Sequence, residues 1–304
     1  MKSYFLPILF MGLTIACQPP KGNRSSTPAP TEKTSEKAPQ RAPYEGFEWR
    51  KVTGGGLTFW AQHSKNMTVL ADAEGAVMVR NNDARPHRLM QWIKMEGAGP
   101  DALLKALARQ PGWDARQTAR LEKTDAGRPG VERYVLKPDG EYAKRIQDSM
   151  SHYPIPITCS GWGVGNSGMR YFELFDSAPG KALFVEIGQD APLFDESSIT
   201  ATTATDDKHT TLQTLQGTLR IGHEVRSFTP DGSSTEYWVA DRTGGQLETQ
   251  YDRLTGGKKN GKSVRATLKV TDDGKWDDGF AAEYESVLLV YEVVEINGQR
   301  SAKQ

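Results

Sequence analysis

The sequence is short of cysteine, carries no net charge, and has no hydrophobic run long enough to cross a membrane. Its two cysteines are Cys17 and Cys159, so if either has another use, the other has no partner within the chain. Thirty-eight basic and thirty-eight acidic side chains give a formal net charge of +0. No global field gathers nucleic acid or anionic lipid, and no nucleic-acid partner is expected. The five histidines, His63, His87, His152, His209 and His223, are scattered, and none pairs with another at ligand spacing. No zinc site, no other metal and no cofactor are expected from that pattern. A content of 37% hydrophobic and 25% charged residues excludes wholesale disorder.

What is present begins at the first residues. Lys2 gives a positive start, an apolar run extends from Tyr4 to Ile15, and Ala16 stands before Cys17. This is the n-region, h-region and small-residue cleavage site of a secretory signal. A membrane helix needs roughly 20 apolar residues; this run is shorter, is broken by Pro7, and runs into Gln18-Pro19-Pro20. The segment Leu13-Thr14-Ile15-Ala16-Cys17 resembles the lipobox of bacterial lipoproteins, with Thr14 where Leu is commonest. The resemblance implies cleavage before Cys17, lipidation of Cys17, and a membrane anchor of two or more acyl chains. Gln18 after the cysteine, with no Asp there, implies the periplasmic face of the outer membrane under familiar sorting rules.

Residues 18 to 45 are rich in Pro, Ser, Thr, Lys and Glu and nearly free of large apolar side chains. Such a stretch cannot bury enough surface to offset its ordering entropy, and its prolines extend it. The expected organisation is a signal over 1–16, the lipidated cysteine and tether over 17–45, an α+β domain over 46–200, a linker over 201–210, and an all-β barrel over 211–304. In the first domain, strands are expected over Leu57 to Gln62, Met67 to Ala71, Ala76 to Arg80, Arg88 to Met95, Thr118 to Glu122, Val131 to Leu136, Met169 to Phe175 and Ala182 to Ile187. Asp72-Ala73-Glu74-Gly75 marks a hairpin. Helices are expected after Pro100-Asp101 and over Glu141 to Met150.

The last hundred residues read as five strands: Leu212 to Ile221, Val225 to Phe228, Glu236 to Ala240, Val264 to Val270 and Glu283 to Ile296. A helix is expected over Gln246 to Leu254, between the third and fourth strands. That layout is an OB-fold-like barrel. Phe228, Tyr237, Trp238, Tyr251, Phe280, Tyr284 and Tyr291 are expected chiefly in its interior. The run Gly222 to Pro230, then Tyr237-Trp238-Val239, then Leu247-Glu248-Thr249-Gln250-Tyr251 resembles the C-terminal OB domain of NlpE-type envelope lipoproteins. Many members of that family carry a cysteine in the turn; here Asp231 stands there, so no redox or metal role carries over. The body from Phe47 to Thr200 resembles uncharacterised envelope lipoproteins of Bacteroidetes-type bacteria, which implies a habitat and no mechanism.

Three motifs offer chemistry. Gly163, Gly165 and Gly168 spell G-x-G-x-x-G, but Met169 to Leu174 reads as a strand where a dinucleotide site needs a helix. Asp272 to Gly279 is acidic, but its carboxylates miss the alternation of a calcium loop. Cys159, beside those glycines, is the one candidate nucleophile, with His152, His209, His223, His63 or His87 as its base. The bland alternative is a small buried hydrophobe beside a glycine turn. The preferred reading is a membrane-anchored envelope lipoprotein that acts as a binding module, toward an envelope protein or peptidoglycan, in envelope homeostasis or stress sensing. The rival is an envelope hydrolase or transferase using Cys159.

Overall fold

The first folded signal, Phe47-Glu48-Trp49, opens a strand that the sequence pattern alone did not set apart. β1 (Phe47–Gly54) pairs antiparallel with β2 (Leu57–Ser64) along its whole length. The computed structural model describes residues 37–81, 86–110, 118–139, 169–187 and 193–298. Cys17, Cys159 with its glycine-rich stretch, and the helix expected over Glu141 to Met150 lie outside the described residues.

The expected hairpin joins β3 (Met67–Asp72) to β4 (Gly75–Arg80), with Asp72 opposite Gly75. Gly75 has φ +146°, and a Cβ there would strike the Met90 carbonyl of the next strand. β5 (His87–Lys94) continues the sheet, followed by α1 (Gly99–Ala108), which carries Pro100 in its first turn and buries Leu103, Ala106 and Leu107 at helical spacing. Then come β6 (Thr118–Thr124), β7 (Val131–Asp139), β8 (Met169–Phe175), β9 (Lys181–Ile187) and the short β10 (Thr200–Ala201). The sheet order is β1-β2-β3-β4-β5-β9-β8-β7-β6, with β10 on β2. Strands β1 to β4 share one core with β8 and β9, including Val52, Phe59, Val69, Met78, Tyr171 and Val185. α1 covers the other face, against Ile93, Phe172 and Phe184.

The second element group closes on itself. β11 (Gln213–Ile221), β12 (Arg226–Pro230), β13 (Tyr237–Asp241), α2 (Gln246–Thr255), β14 (Ser263–Asp272) and β15 (Val287–Gly298) form a barrel of order β11-β12-β13-β15-β14. β13 and β15 run parallel, and β11 pairs antiparallel with both β12 and β14. Gly217 marks a close approach of β11 to β12: a Cβ there would meet the Thr229 carbonyl and the Phe228 ring. α2 sits between glycines at φ +89° and +71°, and its Leu247 and Tyr251 plug the barrel interior. The described protein is therefore mostly β, with a closed five-stranded barrel.

The aromatic expectation for the barrel needs correction. Phe228 and Tyr251 lie in the interior, with Tyr237 packed beside them. Trp238 and Tyr291 point outward instead, into a cluster that joins Leu70, Val77 and Val79 of the sheet to Leu212, Val287 and Leu289 of the barrel. Phe280 is 48% exposed. Alternation along a strand places neighbours on opposite faces, and the sheet covers the outer face that would otherwise meet water. Residues 201–210 are pinned rather than free-standing: Asp207 N–H donates to the Thr53 carbonyl and Ala71 N–H to the Thr210 carbonyl.

Candidate functional site

His63 is the informative residue. In β2 it follows Leu57, Phe59 and Ala61 at a spacing of two, so the strand's alternation carries it to their buried face. It is 2% exposed, yet neither ring nitrogen has a hydrogen-bond partner among the described residues. A buried polar group without a partner is costly and uncommon. Its pKa is held down at about 4, by burial first and the Arg50 guanidinium second, with Glu48 opposing both.

The imidazole lines a cleft of about 680 Å³ between the first strands of the sheet and the barrel. β1 contributes Arg50 and Lys51, and Lys65 stands at the β2–β3 turn. The barrel contributes Arg242, just past β13, and Tyr291 of β15. Arg50 and Arg242 both act on the Tyr291 hydroxyl, whose pKa burial raises and the two guanidiniums lower. The cleft's only acid among its described residues is Asp273, which already accepts a hydrogen bond from the Trp276 indole at 2.8 Å. Arg50 is paired with Glu48. Lys51, Lys65 and Arg242 have no ion-pair partner among the described residues.

The direction of the His63 shift fixes a pH dependence. Its folded value lies below the ordinary histidine value, so the native state binds fewer protons than the unfolded chain as pH falls. Its stability contribution is whole above pH 6.5 and drains away as pH drops toward about 4. The loss amounts to about 3 kcal/mol at most. Urea midpoints measured across that window should slope less steeply in His63→Leu than in the wild type; equal slopes would refute the assignment.

A second charged group gathers around β8. Glu173 of β8, fully buried, accepts from Arg128 and from Arg133 Nε and Nη2 at 3.1 and 2.9 Å. Arg133 also stands 4.0 Å over the Tyr171 ring, and the Tyr171 hydroxyl donates to Glu196 at 3.0 Å. Two arginines meet two glutamates, so the charges cancel and the cluster reads as internal bracing.

The structure brings His63 and His209 to one cleft, while His87 and His223 are exposed elsewhere. Cys159 and His152 fall outside the described residues, so no cysteine–histidine pair is drawn. Among the described residues no group of three or more His, Cys, Asp or Glu is placed to hold a metal ion. Arg50, Arg242 and Tyr291 carried no motif. The alternation in β2 was the available signal for His63, and nothing local pointed to the barrel residues opposite it. Neither a family model, nor a curated protein, nor a solved structure matches the chain.

Proposed function

We propose that this chain is a lipid-tethered envelope protein that works by binding, and that its ligand enters the cleft between sheet and barrel. The observation carrying this is His63, buried at the wall of a large cleft with both nitrogens unpartnered. Ligand pockets are typically clefts of this size with a few placed polar groups. In this reading residues 1–16 are the signal, Cys17 is lipidated, and the tether runs to about residue 45. An α+β body of 46–200 and a linker of 201–210 precede an OB-type barrel of 211–304. Strand order, the parallel pair and the position of α2 support the barrel's type. Placement at the outer membrane's periplasmic face, and a role in envelope homeostasis or stress sensing, follow from the lipobox and the NlpE-type resemblance.

OB-type barrels commonly bind on the face of their second and third strands. Here Trp238 and Ala240 of β13 pack against the sheet cluster, which favours the cleft over that face. The rival reading, a Cys159-dependent hydrolase or transferase, makes the opposite genetic prediction. In a strain lacking the gene, Cys159→Ser should restore wild-type detergent resistance, and Arg242→Glu and Cys17→Ser should not, all at normal protein levels. Restoration by Arg242→Glu with failure of Cys159→Ser would establish the rival instead.

A further inference from the structure

Of the groups that the fold brings together, the cleft's own chemistry reaches furthest, because it specifies what can fill it. We propose that the cleft is a site for a small phosphate ester of a polyol, held by Arg50, His63 and Arg242. This rests on the cleft being the binding site.

Charge sets the first requirement. Four cationic side chains and one carboxylate line the cleft, and that carboxylate is engaged by an indole. A ligand bearing negative charge is favoured there, and a cationic one is opposed. Arg242 supplies a guanidinium with no ion-pair partner among the described residues, suited to two parallel hydrogen bonds to an oxyanion.

His63 sets the second requirement. A neutral imidazole has one nitrogen that donates and one that accepts. Both are buried and unpartnered, so the ligand must offer an acceptor and a donor. A fully ionised oxyanion offers no donor; a hydroxyl beside a phosphate supplies both whatever the phosphate's protonation. Arg50, Lys51 and Glu48 of β1, Lys65 of the β2–β3 turn, Tyr291 of β15, Asp273 of the β14–β15 loop, Arg242 after β13 and His209 of the 201–210 segment are the charged or titratable groups on the elements around it. Most of these are cations or hydroxyls, which a phosphate ester satisfies together.

The same chemistry occurs in a free sugar phosphate and in a glycerol-phosphate lipid headgroup. The test is a titration of the full-length protein in nonionic detergent, read by the ring signals of His63 in nuclear magnetic resonance. Probes are glycerol 3-phosphate, glycerol, inorganic phosphate, and bicelles of phosphatidylglycerol or phosphatidylcholine. Saturable shifts of His63 with glycerol 3-phosphate, weaker with phosphate and absent with glycerol, are expected for a free ligand. Shifts with phosphatidylglycerol bicelles alone would assign the headgroup. Affinity should fall at least about tenfold in Arg242→Gln, the scale of one lost charge-assisted hydrogen bond. A matching loss is expected in Arg50→Gln, whose solvent-exposed position spares the fold. No response to any phosphate probe, or equal affinity in both variants, overturns the proposal. If Arg242→Glu still fails in cells after such a result, the cleft remains a binding site and only the ligand class is wrong.

Discussion

Glu173→Gln should lower the protein's stability by about 3–5 kcal/mol, the scale for removing one partner of a buried ion cluster. The expectation follows from who depends on that carboxylate. Glu173 Oε1 accepts from both Arg128 and Arg133, two side chains that are themselves largely enclosed. A neutral amide leaves two guanidiniums facing one remaining carboxylate, Glu196. Its carbonyl oxygen can keep the place of Oε1, but its N–H₂ takes that of Oε2, which is buried with no hydrogen-bond partner among the described residues. The Arg128 guanidinium additionally donates to the Ile199 carbonyl, so its displacement loosens the segment entering β10. Urea unfolding at neutral pH measures the loss directly. A shift worth less than 1 kcal/mol would mean that water already reaches this cluster and carries the charge.

Tyr251→Ala should cost about 3–5 kcal/mol as well, by a different route. Tyr251 is fully buried at the bottom of the barrel, one turn of α2 beyond Leu247. Removing the ring opens a cavity that closed β-strands cannot collapse to fill. Its hydroxyl donates to the Lys262 carbonyl at 2.7 Å, so Tyr251→Phe isolates that bond and should cost about 1 kcal/mol. Phe280→Ala, at an exposed aromatic of the same barrel, should change stability by about 0.5 kcal/mol or less. Thermal unfolding of the three variants tests the ranking. A Phe280 effect as large as that of Tyr251 would show that the loop before β15, not α2, closes the barrel.

Local pattern carried most of the strands and little of the site. The hairpin at Asp72 to Gly75 was legible because turn residues interrupt two alternating apolar runs. The five barrel strands and α2 were legible from period and turn signals, with ends displaced by a few residues. β15 starts at Val287 rather than Glu283, because Gly279–Glu283 takes up a turn of 3₁₀ helix first. The pattern did not show which face of each barrel strand is covered. Val287, Leu289 and Tyr291 alternate as inward residues would, yet they meet Leu70 and Val77, more than two hundred residues earlier. Alternation reports two faces and does not report what covers the second. His63 was readable as buried from its parity with Phe59 and Ala61. Its company of Arg242 and Tyr291 depends on a contact between the ends of the chain, which no window of sequence contains.

The pinning of late residues onto early strands also orders events in time. Phe194 and Thr200 pair with β2, Thr211 bridges Ala71, and the barrel's Val287 and Leu289 cover Leu70. A chain that leaves the ribosome or a translocation pore amino end first presents β1 to β4 long before any of these arrive. Their edges and apolar faces stay uncovered until the final strand has emerged. Pairings this distant in sequence form slowly, and a half-delivered chain exposes the surfaces that invite misassociation. The length of that waiting interval, more than the final stability, sets how long those edges and faces stay open to misassociation.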